Sequence, residues 1–202
     1  MGFFSQLKEL ADTLETGVRE NMSTVPDYGE PVSFLYTALN LGDLHRRIDV
    51  TDDQDVVRYY TKSSVFALKG ATDLLDASNN LVAHLEKKVV SLHEKQFITM
   101  ANGTNITLSN ELFHLVKDIT NIEGLGWKIE GDIVGLDFNL LDANGEPIAA
   151  VRKKMVSIHD KYCIGLFKPE YEPVVVAIVI ALEKMIEARR ENQSSTTFSF
   201  GD

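Results

Sequence analysis

Pro173-Val-Val-Val-Ala-Ile-Val-Ile-Ala-Leu-Glu-Lys-Met-Ile-Glu-Ala-Arg-Arg190 is the stretch that decides the fold of this chain. Its first half is apolar on every side, and its second half carries charges at helical spacing. Val and Ile also suit a buried strand, but the charged continuation favours a helix over 173–190, with Glu172 at its positive end. The apolar run 174–182 is shorter than the ~20 residues that span a bilayer, so we expect the helix to be buried inside the protein.

A repeated segment supplies a candidate container for this helix. Residues 74–98 align without a gap on residues 140–164, at an offset of 66 residues, and about half of the aligned positions are identical. Each copy reads as a strand, a tight turn, a second strand, another turn and a third strand. Dipeptides such as Asn102-Gly103 and Asn144-Gly145 separate the apolar runs, which is typical of antiparallel hairpins.

These patterns predict a mainly β domain over 56–191, built as a closed antiparallel β-barrel of about twelve strands around the central hydrophobic helix. Closure would remove the exposed edges of an open sheet. We expect residues 1–55 to form an N-terminal helical extension. It would contain a short helix within 32–47 and an amphipathic helix over 3–20 that docks on the domain or binds a membrane or partner. The Ser/Thr-rich segment 192–202 is predicted to be disordered.

Composition excludes several classes of function. The chain has 202 residues and a formal net charge of −10, which argues against a nucleic-acid partner because phosphate binding needs a basic surface. Cys163 is the single cysteine, so no intramolecular disulfide is possible, and we see no signal peptide. Both observations predict a reducing, cytoplasmic location.

The order of short motifs resembles the LURP-one-related branch of the tubby C-terminal-like superfamily. The resemblance covers about Tyr59 to Arg190, and its specificity lies in the order of the motifs and the terminal helix together. The motifs are Trp127-x-Ile-x-Gly131, Asp137-Phe-x-Leu, Asp142-Ala-Asn-Gly-Glu, Ile148-Ala, Lys153-Lys154, Ser157 and Asp160-Lys-Tyr162.

The resemblance implies a tubby-like fold, a twelve-stranded closed barrel around a C-terminal hydrophobic helix. Tubby proteins bind phosphoinositides, and phospholipid scramblases are similar to this family as well. The resemblance therefore implies a protein that binds phospholipid headgroups or associates peripherally with a membrane. No lipid-binding motif of tubby proteins transfers to this sequence residue by residue.

Paired cationic residues are the candidate ligand-binding residues of the repeats. One copy has Lys87 and Lys88, and the other has Arg152, Lys153 and Lys154. Adjacent strand residues point to opposite faces, so one lysine of each pair shares a face with the core residues. These lysines either bind a phosphate or headgroup at the mouth of the barrel, or lie as ordinary solvated and snorkelling side chains at its rim.

The sequence carries no recognisable catalytic or metal-binding constellation. The histidines lack ligand spacing, and no nucleophile elbow, phosphate loop or dinucleotide fingerprint occurs. We therefore expect a non-enzymatic protein without a metal or cofactor. Headgroup binding is the first hypothesis, and a protein-interaction or scaffold module that uses residues 1–55 is the alternative.

Overall fold

A computed structural model describes residues 25–39, 47–63, 71–90, 93–109, 120–154 and 161–197. They form twelve strands and one long helix, α1 (Glu172–Thr197), which follows a short 3-10 turn at Pro169–Tyr171. The strands are β1 (Ser33–Leu39), β2 (Ile48–Thr51), β3 (Val57–Ser63), β4 (Thr72–Asp76), β5 (Leu81–Val90), β6 (His93–Met100), β7 (Asn105–Ser109), β8 (Thr120–Ile122), β9 (Trp127–Asp132), β10 (Asp137–Leu141), β11 (Pro147–Lys154) and β12 (Lys161–Leu166).

All twelve strands belong to one antiparallel sheet in the order β7-β6-β5-β4-β3-β2-β1-β12-β11-β10-β9-β8. Every neighbour is a sequence neighbour except β1 and β12, which pair in the middle of the sheet. The outermost strands, β7 and β8, are connected by one isolated bridge between Thr107 and Glu123 rather than by a ladder. The fold is therefore mainly β, but the prediction of a closed barrel is not confirmed in the described part of the chain.

Helix α1 is the centre of the core. The eight residues 175–182 are all 0% exposed, and since they cover more than two turns, the helix is enclosed on every face. The prediction of a buried terminal helix is confirmed, and no helix among the described residues is long and apolar enough to cross a membrane. The helix extends further than predicted, because its backbone stays helical to Thr197. This corrects the prediction of disorder for 192–197, while 198–202 lie outside the described residues.

Part of the predicted N-terminal helical extension over 1–55 belongs to the sheet instead. β1 and β2 occupy the centre of the sheet, so residues 33–39 and 48–51 are strands of the domain and not parts of a helical extension. The Leu-rich spacing of 32–47 was misleading because a strand buried on one face is also rich in apolar residues. The amphipathic helix predicted at 3–20 lies outside the described residues.

The two aligned segments pair in the same way. β4, β5 and β6 correspond to β10, β11 and β12, and both sets shift register at the same aligned place, Leu74/Leu75 in one and Leu140/Leu141 in the other. Ala83 pairs with Met100, and its counterpart Ala149 pairs with Leu166. Equal pairing after an offset of 66 residues means that aligned positions lie on the same face of the sheet.

Aspartates build the tight turns at one end of the sheet. Asp76 Oδ1 accepts hydrogen bonds from the backbone N–H groups of Ser78 and Asn80, and Asp142 Oδ1 accepts them from Asn144 and Glu146. The residue before the last in each turn has a positive φ, 65° at Asn79 and 86° at Gly145. Asn and Gly tolerate this conformation best, which explains why the Asn-containing turn prediction was correct.

Residues 25–32, called the strap below, cross the outer face of the second half of the sheet. The Asn139 side chain donates to the Pro26 carbonyl at 2.9 Å, and Tyr28 donates to Glu130 Oε2 at 3.0 Å. The Val25 side chain lies over Gly131, and Pro31 lies over Gly165. Asn139 is 0% exposed as a result, although it faces away from the helix.

Candidate functional site

The two ends of the sheet differ in chemistry. The helix-entry end is the end of the sheet at which α1 begins, and the helix-exit end is the opposite one. At the helix-entry end, the turns 77–80 and 142–146 lie near the start of α1. At the helix-exit end, β5 and β11 terminate and β6 and β12 begin, so both predicted lysine pairs lie there. The charged second half of α1 runs toward this same end, since the helix starts from the other one.

The helix-entry end is fixed by specific contacts. Tyr59 donates its hydroxyl to Glu172 at 2.8 Å, and burial together with this carboxylate raises the pKa of Tyr59. Lys168 donates to Asp142 Oδ2 at 2.8 Å, and this bond holds the pKa of Asp142 below its usual value. The buried Trp127 ring meets Tyr171 edge-on with centroids 5.2 Å apart. These contacts anchor the start of the helix to the sheet.

Arg152 is the predicted site residue whose contacts are clearest. Its guanidinium donates to Asn139 Oδ1 at 2.7 Å and to the Phe138 carbonyl at 2.8 Å, and it lies 3.2 Å from Asp137. Asn139 in turn holds the strap through Pro26. Arg152 is thus engaged in fixing the outer face of the sheet, and we do not include it in the ligand-binding set below.

Lys87 and Lys88 occupy opposite faces of β5, as the alternation of strand residues requires. Lys87 pairs with Gln96, which is 3% exposed, so Lys87 lies on the inner face toward the helix. In the other copy, the backbone of Lys153 pairs with that of Tyr162. The two lysines therefore have the same register position in their copies.

Lysines also lie opposite lysines across both hairpins, a pairing that was not predicted from the sequence. Lys88 is directly opposite Lys95, and Lys154 is directly opposite Lys161. Like charges at directly opposite positions destabilise a sheet by up to ~1 kcal/mol per pair. Lys95 is partly compensated, because its ammonium lies 3.7 Å from Glu123. The signal was present in the repeat, since Lys95 and Lys161 occupy aligned positions.

The inner face becomes polar toward the helix-exit end. Its buried polar residues are Thr37, Thr61, Thr72, Gln96 and Tyr162. Further toward the helix-entry end, the same strands present apolar residues such as Leu35, Leu74, Met100 and Leu166. A polar layer inside the sheet therefore surrounds the part of α1 that begins at Glu183.

Glu183 lies within this polar layer. Burial raises the pKa of its carboxyl to about 7, against a smaller opposing effect of the nearby Tyr162 hydroxyl. Glu187 raises it further, whereas Lys184 and Arg190 on the same helix lower it. Burial, followed by the negative charge of Glu183, also raises the pKa of Tyr162. Glu183 as a whole residue is partly exposed, but its Oε2 atom is fully enclosed.

One arrangement on the outer face resembles part of a catalytic site. His84 Nδ1 lies 2.6 Å from Asp73 Oδ1, and Thr99 is the next residue across the ladder. Both side chains of the His84–Asp73 pair are more than 40% exposed, at 45% and 43%. Thr99 donates instead to Asn105 at 3.2 Å. Because the His84–Asp73 pair is this exposed and the Thr99 hydroxyl is bonded to Asn105, the row lacks the nucleophile–base contact of a nucleophilic site.

Among the described residues, no group of three or more His, Cys, Asp or Glu side chains is placed to hold a metal ion. The remaining histidines, His45, His93, His114 and His159, have side chains outside the described part of the chain. The candidate functional site therefore consists of the lysines and the polar layer at the helix-exit end.

Together, a single antiparallel sheet that encloses its own C-terminal helix and has cationic hairpin ends defines a β-rich class of protein organised around that helix. The family model described as LURP-one-related (LOR) matches residues 40–183. This chain therefore belongs to the LURP-one-related family.

Two known proteins are similar to this chain. A Bacillus subtilis protein, described as the uncharacterized protein YxjI, is 27% identical over 137 residues, which are 67% of this chain and 81% of the relative. An X-ray structure of a protein from Arabidopsis thaliana matches 76% of this chain and 92% of its own with a TM-score of 0.48 and 14% identity.

Proposed function

We propose that this protein binds phosphorylated headgroups of anionic phospholipids through the lysines of its two hairpin ends, without catalysing a reaction. The binding residues would be Lys87, Lys88, Lys95 in one copy and Lys153, Lys154, Lys161 in the other. This function implies a peripheral position on a membrane surface, in agreement with the expected cytoplasmic location.

The cross-strand lysines are the observation that carries the proposal. Lys88 opposite Lys95 and Lys154 opposite Lys161 are costly arrangements for the folded protein, and both copies have them at the same end of the sheet. A bound phosphate would turn this repulsion into attraction, because ammonium groups donate charge-assisted hydrogen bonds to its oxygens.

The charge of the whole chain strengthens this point. With a net charge of −10, the protein as a whole is repelled by an anionic membrane, so attraction requires a local cationic surface. Each lysine close to an anionic membrane contributes about 1 kcal/mol of attraction. We propose that closure of the sheet into a complete barrel, by further pairing of β7 with β8, keeps the two hairpin ends close enough to act together.

Flotation of the purified protein with vesicles tests the proposal. Phosphatidylcholine vesicles with and without a phosphoinositide would be compared at low and near-physiological salt. We expect binding only to the phosphoinositide vesicles, and Lys88→Gln with Lys154→Gln in one variant should weaken it about 30-fold, at roughly 1 kcal/mol per lysine. No binding to anionic vesicles even at low salt would refute the proposal.

A combined stability measurement separates binding from folding. If these lysines serve a ligand, the Lys88→Gln variant should be as stable as the wild type or slightly more stable, because a like-charged pair has been removed. Lys128→Gln is the matched control, since Lys128 lies at the helix-entry end, opposite Leu141. It should leave both vesicle binding and stability almost unchanged.

A second candidate function is a protein-interaction module that uses the N-terminal segment. The observation in its favour is the strap, which fixes Val25 against Gly131 on the outer face of the sheet. The described chain therefore begins beside β9, where residues 1–24 join it through the peptide bond to Val25. Deleting 1–24 should abolish capture of a cognate partner but preserve vesicle binding, and unchanged capture would count against this function.

A further inference from the structure

Three buried oxygen atoms meet between β1, β12 and α1 at the helix-exit end. They are Thr37 Oγ1, Tyr162 Oη and Glu183 Oε2, and within the described part of the chain none of them makes a hydrogen bond of good geometry. Thr37 and Tyr162 are directly opposite in the β1–β12 ladder, and each residue is 1% exposed. The Tyr162 hydroxyl lies near both of the others: after burial, the charge of Glu183 and hydrogen bonding to it raise the pKa of Tyr162, and hydrogen bonding to Thr37 lowers it.

Leaving such groups without partners is expensive. A buried unsatisfied polar group costs about 1–3 kcal/mol, and a buried carboxylate costs more unless a positive charge accompanies it. Three such oxygens converge here from three different elements, so a single added donor group would satisfy all of them at once.

The composition of the site selects the chemistry of that occupant. A primary ammonium group has three N–H donors and no acceptor, and the site offers three oxygens with one carboxylate among them. Ca²⁺ would need six to eight oxygen ligands, and an anionic phosphate or carboxylate ligand would bring further acceptors and negative charge against Glu183. We propose that Thr37, Tyr162 and Glu183 form a buried binding site for a primary ammonium group.

The ammonium group has two possible sources. One is Lys153 of this chain, whose backbone lies directly opposite Tyr162 in the β11–β12 ladder. The other is the amine of a small ligand that enters from the helix-exit end. In the other copy Gln96 stands at the position of Tyr162, so the site belongs to one copy alone.

This site is independent of headgroup binding at the hairpin ends, because it is defined by oxygens inside the sheet. Failure of vesicle binding would leave it unaffected. Only Lys153 is common to both proposals, and the tests below measure stability and titration of the protein without vesicles.

Chemical rescue tests the site and identifies its source. The melting temperature of the wild type and of Lys153→Met is measured with methylammonium chloride and, at equal ionic strength, with tetramethylammonium chloride, which has no N–H donor. A response of Lys153→Met alone identifies Lys153 as the source, and a response of the wild type identifies a ligand amine. The expected rise is about 3–5 °C at a methylammonium concentration roughly tenfold above its Kd.

Two carboxylate variants show whether the response comes from this site. In the responsive protein, Glu183→Gln should abolish the methylammonium effect, while Glu146→Gln, a control on an exposed turn at the other end of the sheet, should preserve it. The proposal is overturned if methylammonium stabilises neither protein more than tetramethylammonium does, or if potassium chloride acts equally well.

A titration keeps the proposal testable if Lys153→Met does not fold. The carboxyl carbon of Glu183 is followed by NMR in the wild type with and without methylammonium. An occupied site should lower the pKa of Glu183 clearly below 7, either at once or on adding the amine. A titration near 7 that the amine does not change would overturn the proposal.

Discussion

The two aligned sets of strands, β4–β5–β6 and β10–β11–β12, have equal register but different surroundings. On the outer face of the first set, Asp73, His84 and Thr99 form an exposed polar row. On the second set, the aligned positions are Asn139, Ala150 and Gly165, and the strap covers them. The inner faces differ as well, since Gln96 in one copy corresponds to Tyr162 in the other.

The comparison shows that the same hairpin register can support either a water-exposed or a covered outer face. Small residues in the second set allow the backbone of the strap to approach the sheet, whereas polar residues in the first set remain in contact with water. The register and the turns are common to both because they depend on the backbone and on the turn aspartates, whereas the surfaces depend on what covers them.

Gly131 lies under the strap and, unlike Gly165, has a positive φ, so its replacement should have the largest effect on the second set. Its φ is 124°, and an added Cβ would lie 2.6 Å from the Asp137 carbonyl oxygen and 2.8 Å from Val25 Cγ2. Gly131→Ala should therefore lower the free energy of unfolding by about 3–5 kcal/mol in a urea titration.

Gly145→Ala is the control for Gly131→Ala. Gly145 also has a positive φ, 86°, but no atom lies within 4 Å of its added Cβ. The loss should be only about 1 kcal/mol, because backbone strain acts there without a clash. Equal losses at the two glycines would show that the strap does not crowd Gly131.

The inner faces of the two sets differ in that only the second set places a tyrosine, Tyr162, beside Glu183. The pKa of Glu183 is raised to about 7 in the polar layer. A carboxyl with a raised folded-state pKa stabilises the protein below its unfolded value of about 4.3, and this stability is lost as the pH rises through 7. Without an ammonium partner, in Lys153→Met, the loss between pH 4.5 and 8 should reach up to about 3 kcal/mol.

Adding Glu183→Gln to Lys153→Met should remove most of this pH dependence, which urea titrations at several pH values would measure. Gln96→Ala in the other copy is the comparison, since it removes no titrating group and should leave the shape of the pH profile unchanged. A double variant that keeps the full decline would assign the decline to other groups.

Asn139 holds the strap, and its counterpart Asp73 is 43% exposed. Asn139→Ala removes the bond to the Pro26 carbonyl and leaves Arg152 without one of its acceptors. We expect a loss of about 2 kcal/mol in the free energy of unfolding, against no more than about 0.5 kcal/mol for Asp73→Ala. Similar losses for the two variants would contradict a special role of the strap.

Among the three substitutions beneath the strap, the smallest effect is expected at Gly165, which lies beneath Pro31. An alanine there would place its Cβ 2.5 Å from Pro31 Cγ, and the strap must shift to admit it. Gly165→Ala should cost about 1–2 kcal/mol in thermal or urea unfolding, while Thr99→Ala at the aligned exposed position should be nearly neutral. A neutral Gly165→Ala would mean that the strap can move without loss.

Several parts of the fold were predictable because the responsible signals are local. The apolar run before Glu183 predicts a buried helix. Turns such as Asn144-Gly145 are recognisable because they contain residues that tolerate a positive φ. The short helix predicted within 32–47 is wrong for residues 33–39, which form β1, since apolar spacing in a short segment does not distinguish a helix from a strand buried on one face. Only pairing with β12 and β3 decides that β1 and β2 lie in the centre of the sheet.

The candidate site was predictable only in part. The sequence pointed to the lysine pairs, but the opposition of Lys88 to Lys95 depends on the register of the hairpin, and Arg152 proved to be engaged with Asn139. The cluster of Thr37, Tyr162 and Glu183 joins residues far apart in the chain, so no local pattern could reveal it.

The sequence by itself determined the LURP-one-related family, the buried terminal helix and the antiparallel hairpins, because hydrophobic pattern and turn chemistry act over a few neighbouring residues. The tertiary structure alone decided which face of each hairpin is covered and which polar atoms meet inside the sheet. Burial and register depend on segments that are distant in the sequence. Only their packing places Glu183 of the terminal helix beside the polar residues Thr37 and Tyr162 of the sheet.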